Sequence, residues 1–245
     1  MKSRLSSLFI AALAFACTLP AAADPAQLGD SVYFAKVGRT VFVSGLLSRW
    51  APALSRVLPL EGGATETAAY AATPVDTIVF VNSSSRRPEK TGDAILWSKR
   101  LAKFGIRRMV VIGTCDLECA RIFASGQTRE FGQTIFGKAP RVEIQLPYDL
   151  QVGQLERRFP NSQLAVFETA LPSFTARNKD LLTLAFTKPN DETGGLFIGP
   201  EGVKYCSSQK AGTCQDYADL TAFNMGLTTS PDRVSVQLPD GFGVK

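Results

Sequence analysis

Two apolar runs constrain the fold more than any other feature of the chain. Val75 to Val81 reads VDTIVFV and Met109 to Ile112 reads MVVI. Continuous runs of this length are typical of strands buried on both faces, which occur where other layers cover both sides of a sheet. Between them, Asp93 to Phe104 places Ala94, Trp97, Leu101 and Phe104 on one helical face, and Gly105 supplies a C-cap. A strand, a helix and a second strand of this kind make a crossover, and hence a parallel pair. Upstream, Val41-Phe42-Val43 followed by Ser44-Gly45 and the apolar spacing of Leu46 to Leu58 reads as strand, turn, helix. A Gly- and Ala-rich loop, Glu61 to Thr73, precedes the first long run. Downstream, Cys119 to Ala124 reads as a short helix closed by Gly126. The order predicts an α/β fold with a mainly parallel sheet.

The pattern then loosens. Val142 to Leu146 alternates like a strand, Ser162 to Ala170 and Asn178 to Phe186 read as helices, and Gly194 to Cys206 holds a strand and a turn. From Cys206 onward, Gly212, Pro231, Pro239 and Gly241 punctuate a small C-terminal appendage. There is no internal repeat.

The first residues read as a targeting segment. Met1 to Arg4 carry two positive charges, Leu5 to Pro20 are largely apolar, and Ala21-Ala22-Ala23 has the small-residue form that signal peptidase cuts. The apolar stretch is shorter than a membrane span of ~20 residues, and no later segment reaches that length. Cys17 is not read as a lipidation site, because Ala14 stands where that motif has Leu. The expectation is a signal peptide over 1–23 and an exported, periplasmic or secreted bacterial protein with no transmembrane segment. Loss of Lys2 and Arg4 would lower the formal net charge from +5 to +3, too little to argue for nucleic acid. Cys115, Cys119, Cys206 and Cys214 then remain, an even number in an oxidising compartment, where disulfides are the default.

The chain has no histidine. Every mechanism that needs imidazole as general base, and every His-containing metal site, is therefore closed to it. No cofactor and no metal is expected.

A strand followed by VSG and a helix, a strand ending in Asn82-Ser83, a helix with Ala94-Ile95, and Cys-x-x-x-Cys before IFASGQTR together resemble the periplasmic branch of the Clp protease and crotonase-like superfamily. The similarity runs from about Gly38 to about Tyr205. It implies repeated ββα units over 24–205, with the appendage over 206–245 carrying two of the cysteines. Carried over by position, the nucleophilic serine of that family falls on Leu117, its histidine base on Lys138, and the two glycines of its oxyanion loop on Ser84 and Ser85. Leucine has no proton to lose and no lone pair with which to attack. Side chains at Ser84 and Ser85 would crowd the approach of backbone N–H groups to an oxyanion.

The resemblance therefore implies a catalytically degenerate protein, a binding or scaffold protein whose old cleft holds an extended peptide or protein partner. Asn82, Ser83, Ser84, Arg86, Leu117 and Lys138 would line it. The enzymatic alternatives are a residual peptidase, with Lys138 serving Ser83 or Ser84 or with Cys115 as nucleophile, and a thiol-redox pair of Cys115 and Cys119. Clp proteases assemble into rings, so a homo-oligomer is also implied, although no residue here names its interface.

Disulfides are favoured over redox or zinc roles for the cysteines. Asp116 and Glu118 disfavour a thiolate beside them, and zinc would need all four sulfurs at one point. A Cys206–Cys214 bridge closes a hairpin easily, and a Cys115–Cys119 bridge fits if Cys115 lies on the strand-helix turn. The crossed pairings stay open. A basic cluster from Arg86 to Arg108 reads as the solvated face of the crossover helix rather than a docking surface.

Overall fold

The VDTIVFV run and the MVVI run lie at the centre of the sheet. In the computed structural model, residues 26–28, 32–46, 74–84, 92–116, 118–144, 148–149, 154–155, 167–187, 194–207, 212–240 and 242 are described. The expected signal peptide, most of the helix expected from Leu46 to Leu58, the loop from Glu61 to Thr73, and Leu117 fall outside them.

The flanking strands are β1 (Ala26–Leu28), β2 (Val32–Val37) and β3 (Thr40–Leu46), and the first long apolar run becomes β4 (Thr77–Ser84). Helix α1 (Gly92–Lys103) crosses to β5 (Arg108–Asp116), which contains the second run. Ile78, Phe80, Met109 and Val111 face one side of the sheet, and Val79, Val81, Val110 and Ile112 face the other. None is more than 1% exposed, as expected for period-two strands covered on both faces. Leu101 of α1 is fully buried against the first of these faces, and Gly105 takes a positive φ of +81° just past the helix end.

Helix α2 (Glu118–Ala124) leads from β5 to β6 (Thr128–Phe131), and β7 (Arg141–Ile144) follows. β3, β4, β5 and β6 are successive parallel neighbours, and β5 also pairs in parallel with β7. The sheet forks along β5. Arg108 to Val111 pair with β6, whereas Thr114 to Asp116 pair with β7.

The sheet as a whole is mixed, which corrects the expectation of a mainly parallel one. A small pair, β8 (Tyr148–Asp149) and β9 (Gln154–Leu155), stands apart from it. On one flank β1, β2 and β3 are antiparallel; on the other β7, β10 (Gly195–Ile198), β11 (Val203–Cys206) and β12 (Cys214–Tyr217) are antiparallel. For the β2–β3 and β10–β11 pairs the physical reason is connection length. Gly38, with φ +57°, turns β2 into β3, and Gly199 donates its N–H to Gly202 O at 2.9 Å between β10 and β11. Such tight turns return the chain antiparallel, whereas a parallel return needs a crossover of about a dozen residues.

Local boundaries also shift. β3 runs on to Leu46, where a helix was expected to begin, and β4 continues through Asn82, Ser83 and Ser84, where the strand was expected to stop. Helix α3 (Pro172–Arg177) opens on a proline that needs no N–H there, and α4 (Lys179–Thr187) covers most of the expected Asn178 to Phe186 helix. Of the helix expected from Ser162, the part from Phe167 to Ala170 is described and is helical.

The C-terminal residues contribute to both cores. Helix α5 (Ala222–Met225) is capped by Thr221, whose hydroxyl accepts from Asn224 N–H at 3.2 Å, and ends at Gly226 with φ +87°. Ala222, Met225 and Leu227 join the larger core with Phe123 and Phe174. Val234, Val236, Leu238 and Phe242 pack on the other face of the sheet, where the Phe242 ring lies 5.9 Å from that of Phe42. Gln133 fastens this return by donating to Val236 O at 2.5 Å and accepting from Val236 N–H at 2.9 Å.

Arg129 is the main polar tie between β6 and this segment. Its guanidinium donates to Leu227 O at 2.7 Å, Gly126 O at 2.6 Å and Gly226 O at 3.4 Å. Those carbonyls lie just past the C-terminal ends of α2 and α5, where peptide oxygens lack helical partners and a positive charge is favourable. Burial pushes the Arg129 guanidinium below its ordinary pKa. Among the described residues, no helix is long and apolar enough to cross a membrane.

Candidate functional site

The carboxyl ends of β3, β4 and β5 are kinked at one level. Gly45, Asn82 and Gly113 take positive φ values of +91°, +45° and +70°. The pairing registers shift at the same place, between Ser44 and Gly45 on β3 and between Val81 and Ser83 on β4. These shifts are β-bulges, which re-aim strand ends and recur next to functional sites. Asparagine tolerates the left-handed region better than most residues, and here its side chain has a further use. Asn82 Oδ1 accepts the N–H of Thr114 at 3.2 Å. A Cβ at position 113 would overlap that oxygen, so glycine is required by both space and φ.

This rim is where ligands of open parallel sheets usually bind, and it carries part of the expected cleft. Asn82 is half-buried at the bulge. Ser83 is fully buried and donates its hydroxyl to Val43 O at 3.1 Å. Ser84 pairs with Leu46 as the last residue of β4. Ser85, Arg86 and Leu117 lie outside the described residues. The hydroxyl of Ser83 is thus a tie between neighbouring strands. Ser83→Ala is expected to lower the unfolding free energy by about 1 kcal/mol through loss of that bond, measured by urea denaturation.

The cysteines pair locally. Cys115, near the end of β5, is bonded to Cys119 in the first turn of α2, with Cα atoms 5.2 Å apart and both residues fully buried. Cys206 and Cys214 face each other across β11 and β12, with Cα atoms 4.0 Å apart. The flanking Ser207 N–H bonds Thr213 O at 3.1 Å, which makes the cysteines a non-hydrogen-bonded pair, the position where side chains approach most closely. In this state none of the four sulfurs is a thiolate, the form that attacks or binds metal. Among the described residues, no three Cys, Asp or Glu side chains gather to hold a metal.

Lys138 closes a two-residue hairpin. Ile135 and Lys138 exchange backbone bonds of 3.2 and 2.9 Å, while Phe136 and Gly137 both have positive φ, +50° and +70°. That is the backbone of a type I′ turn, whose twist suits a hairpin. Gly137 meets the requirement freely, but an aromatic residue does so under strain. Phe136 is also 65% exposed. Lys138 itself is exposed, and among the described residues no ion pair engages it.

The hairpin forms one wall of an open cleft of about 730 Å³. Arg141, Phe197, Glu201, Lys204 and the Cys206–Cys214 bridge line the rest. Phe197 and Lys204 project to this side because their strand neighbours Leu196, Ile198, Val203 and Tyr205 are turned into the core. The Arg141 guanidinium lies 5.4 Å from the Phe197 ring centre and bonds Glu143 at 2.7 Å. Lys204 pairs with Asp216 at 3.2 Å, and Glu201 pairs with Arg233. Among the described residues, the other charged side chains of the lining are each paired, which leaves Lys138 as the unpaired cation of the cleft. Asn82 and Ser83 do not line this cleft. Sequence reading found Lys138 but not Arg141, Phe197 or Lys204; the available signal was the alternation of GLFI and VKYC, which turns Phe197 and Lys204 outward.

No protein-family model, curated protein or solved structure matches the chain.

Proposed function

We propose that this chain is an exported, non-catalytic binding protein on a Clp protease-like, crotonase-like frame, and that it holds an extended acidic peptide segment in the cleft beside Lys138. The observation that carries the reading is Lys138 itself, an exposed cation free of ion pairs among the described residues, at the mouth of a cleft with an aromatic floor. A volume of about 730 Å³ is within the usual range for ligand sites. β12 ends the strand order beside the cleft, so an extended segment has a strand edge to follow. Catalysis is disfavoured at Leu117, Ser83 and Cys115. Leu117 offers no nucleophile, the Ser83 hydroxyl is donated to a main-chain carbonyl, and Cys115 is in a disulfide.

Fluorescence polarisation with labelled extended peptides of matched length tests the reading. An acidic peptide is expected to bind, a basic one to bind more weakly, and Lys138→Glu to reduce the acidic peptide's affinity about tenfold, equivalent to ~1.4 kcal/mol. Serine-reactive and thiol-reactive probes on the purified protein are expected to label nothing at Ser83, Ser84 or the four cysteines. Labelling that disappears in Lys138→Ala or Cys115→Ser would decide instead for a residual peptidase.

A further inference from the structure

A second, smaller cavity of about 240 Å³ lies where β6, α3 and α5 meet, away from the residues that line the larger cleft. Its lining divides into two halves. Arg129, Arg177 and Ser173 supply the polar half; Leu171, Phe174 and Met225 supply most of the apolar half. Among the described residues, no acidic one lines it.

Arg129 is nine-tenths buried. Every group that accepts from its guanidinium among the described residues is a main-chain carbonyl, those of Leu227, Gly126 and Gly226. Carbonyl dipoles at the helix ends favour the charge in part but carry no net charge, so among the described residues a full positive charge stands in a low-dielectric setting without a counter-ion. Such a charge is costly to bury unless an anion joins it. Arg177 adds a second guanidinium at the rim, tethered by one donor to Asn224 O at 2.8 Å. A guanidinium has five N–H donors in a planar fork, so one such bond leaves most of the fork available. Two forks converging on one small space fit a planar carboxylate, which accepts bidentate bonds. The apolar half argues against a fully hydrated inorganic ion, which would lose water there without replacement. The volume is below the ~300 Å³ at which drug-sized pockets begin.

We propose that this cavity binds a small carboxylate bearing a short apolar group, with the carboxylate between Arg129 and Arg177 and the apolar part against Leu171, Phe174 and Met225. Two sources share that chemistry, a free short-chain organic acid and the C-terminal residue of a peptide.

Isothermal titration of the purified protein at fixed ionic strength tests it, with three probes: 4-methylpentanoate, a tripeptide ending in leucine, and the same tripeptide amidated. Saturable binding of 4-methylpentanoate alone would assign a free organic acid. Binding of the tripeptide acid but not its amide would assign a peptide C-terminus. Either result upholds the site provided that Arg177→Gln weakens it about tenfold, as loss of one charged hydrogen bond implies. Ser173→Glu, at an exposed position, is expected to abolish binding by placing a carboxylate in the cavity from within. The proposal is overturned if neither acid binds saturably, if both variants bind within about twofold of the parent, or if inorganic phosphate displaces the acid equally well.

Discussion

Arg129→Ala is expected to lower the unfolding free energy by about 3–5 kcal/mol, the largest effect of any single polar substitution outside the disulfides. Two of the bonds from its guanidinium, at 2.7 and 2.6 Å, are short and charge-assisted. Bonds of that type contribute about 1.5–3 kcal/mol each, while the third, at 3.4 Å, adds little. Loss of the side chain also strands carbonyls at the ends of α2 and α5 in an environment with little water. Arg129→Lys keeps the charge but not the fork and is expected to recover less than half of the loss. Urea denaturation measures the magnitude. Hydrogen exchange locates it, and protection should fall first from Ala222 to Thr229, because the Thr229 N–H donates to Arg129 O and the Thr229 hydroxyl accepts from the Arg129 N–H at the same junction. A loss under about 1 kcal/mol would mean that Arg129 is a surface-like cation and does not latch the C-terminal segment.

Gly113→Ala is expected to cost about 3 kcal/mol, for two separable reasons. A non-glycine residue held at φ +70° costs roughly 1–2 kcal/mol. The new methyl group also overlaps Asn82 Oδ1, and the oxygen can withdraw only by giving up the Thr114 N–H. Asn82→Gly removes the second reason and leaves the first. Alone, that substitution is expected to be nearly neutral, since the lost hydrogen bond is offset by glycine's ease at φ +45°. In the double variant the cost of Gly113→Ala should fall to about 1–2 kcal/mol, a coupling energy that a double-mutant cycle measures directly. Strict additivity would show that the two bulges are independent and that the kinked rim is not a coupled unit. The pair sets the kink from which β4 continues to Ser84 and β5 to the Cys115–Cys119 bridge.

The expected elements were met best where one segment's composition leaves a single stable answer. VDTIVFV and MVVI could only be strands between two layers, and Asp93 to Phe104 could bury its apolar stripe only by packing on them. The flanks were harder, because they are built of short strands, and the direction of β2 against β3 and of β10 against β11 is decided by turns at Gly38 and Gly199. Polar residues inside strands misled in one place: Asn82-Ser83-Ser84 has the composition of a loop, yet a bulge and a buried hydroxyl carry β4 through it. Lys138 was picked out through family position, and its setting, a type I′ hairpin beside Phe197 and Arg141, depends on strands more than fifty residues later in the chain.

By itself the sequence determined that a doubly covered central sheet exists and that no imidazole chemistry is open to it. Those conclusions depend on what a residue type can or cannot do wherever it is placed. Tertiary structure alone decided the mixed direction of the sheet, the choice of Cys115–Cys119 and Cys206–Cys214 over crossed pairings, and the burial of Arg129 against the Leu227 carbonyl 98 residues away. The sheet order and the contact from Arg129 to Leu227 are long-range pairings, whose free energy depends on which surfaces meet after the chain has folded, and local composition carries no record of that meeting; the cysteines pair locally, and the fold decided that by holding the two pairs on different elements.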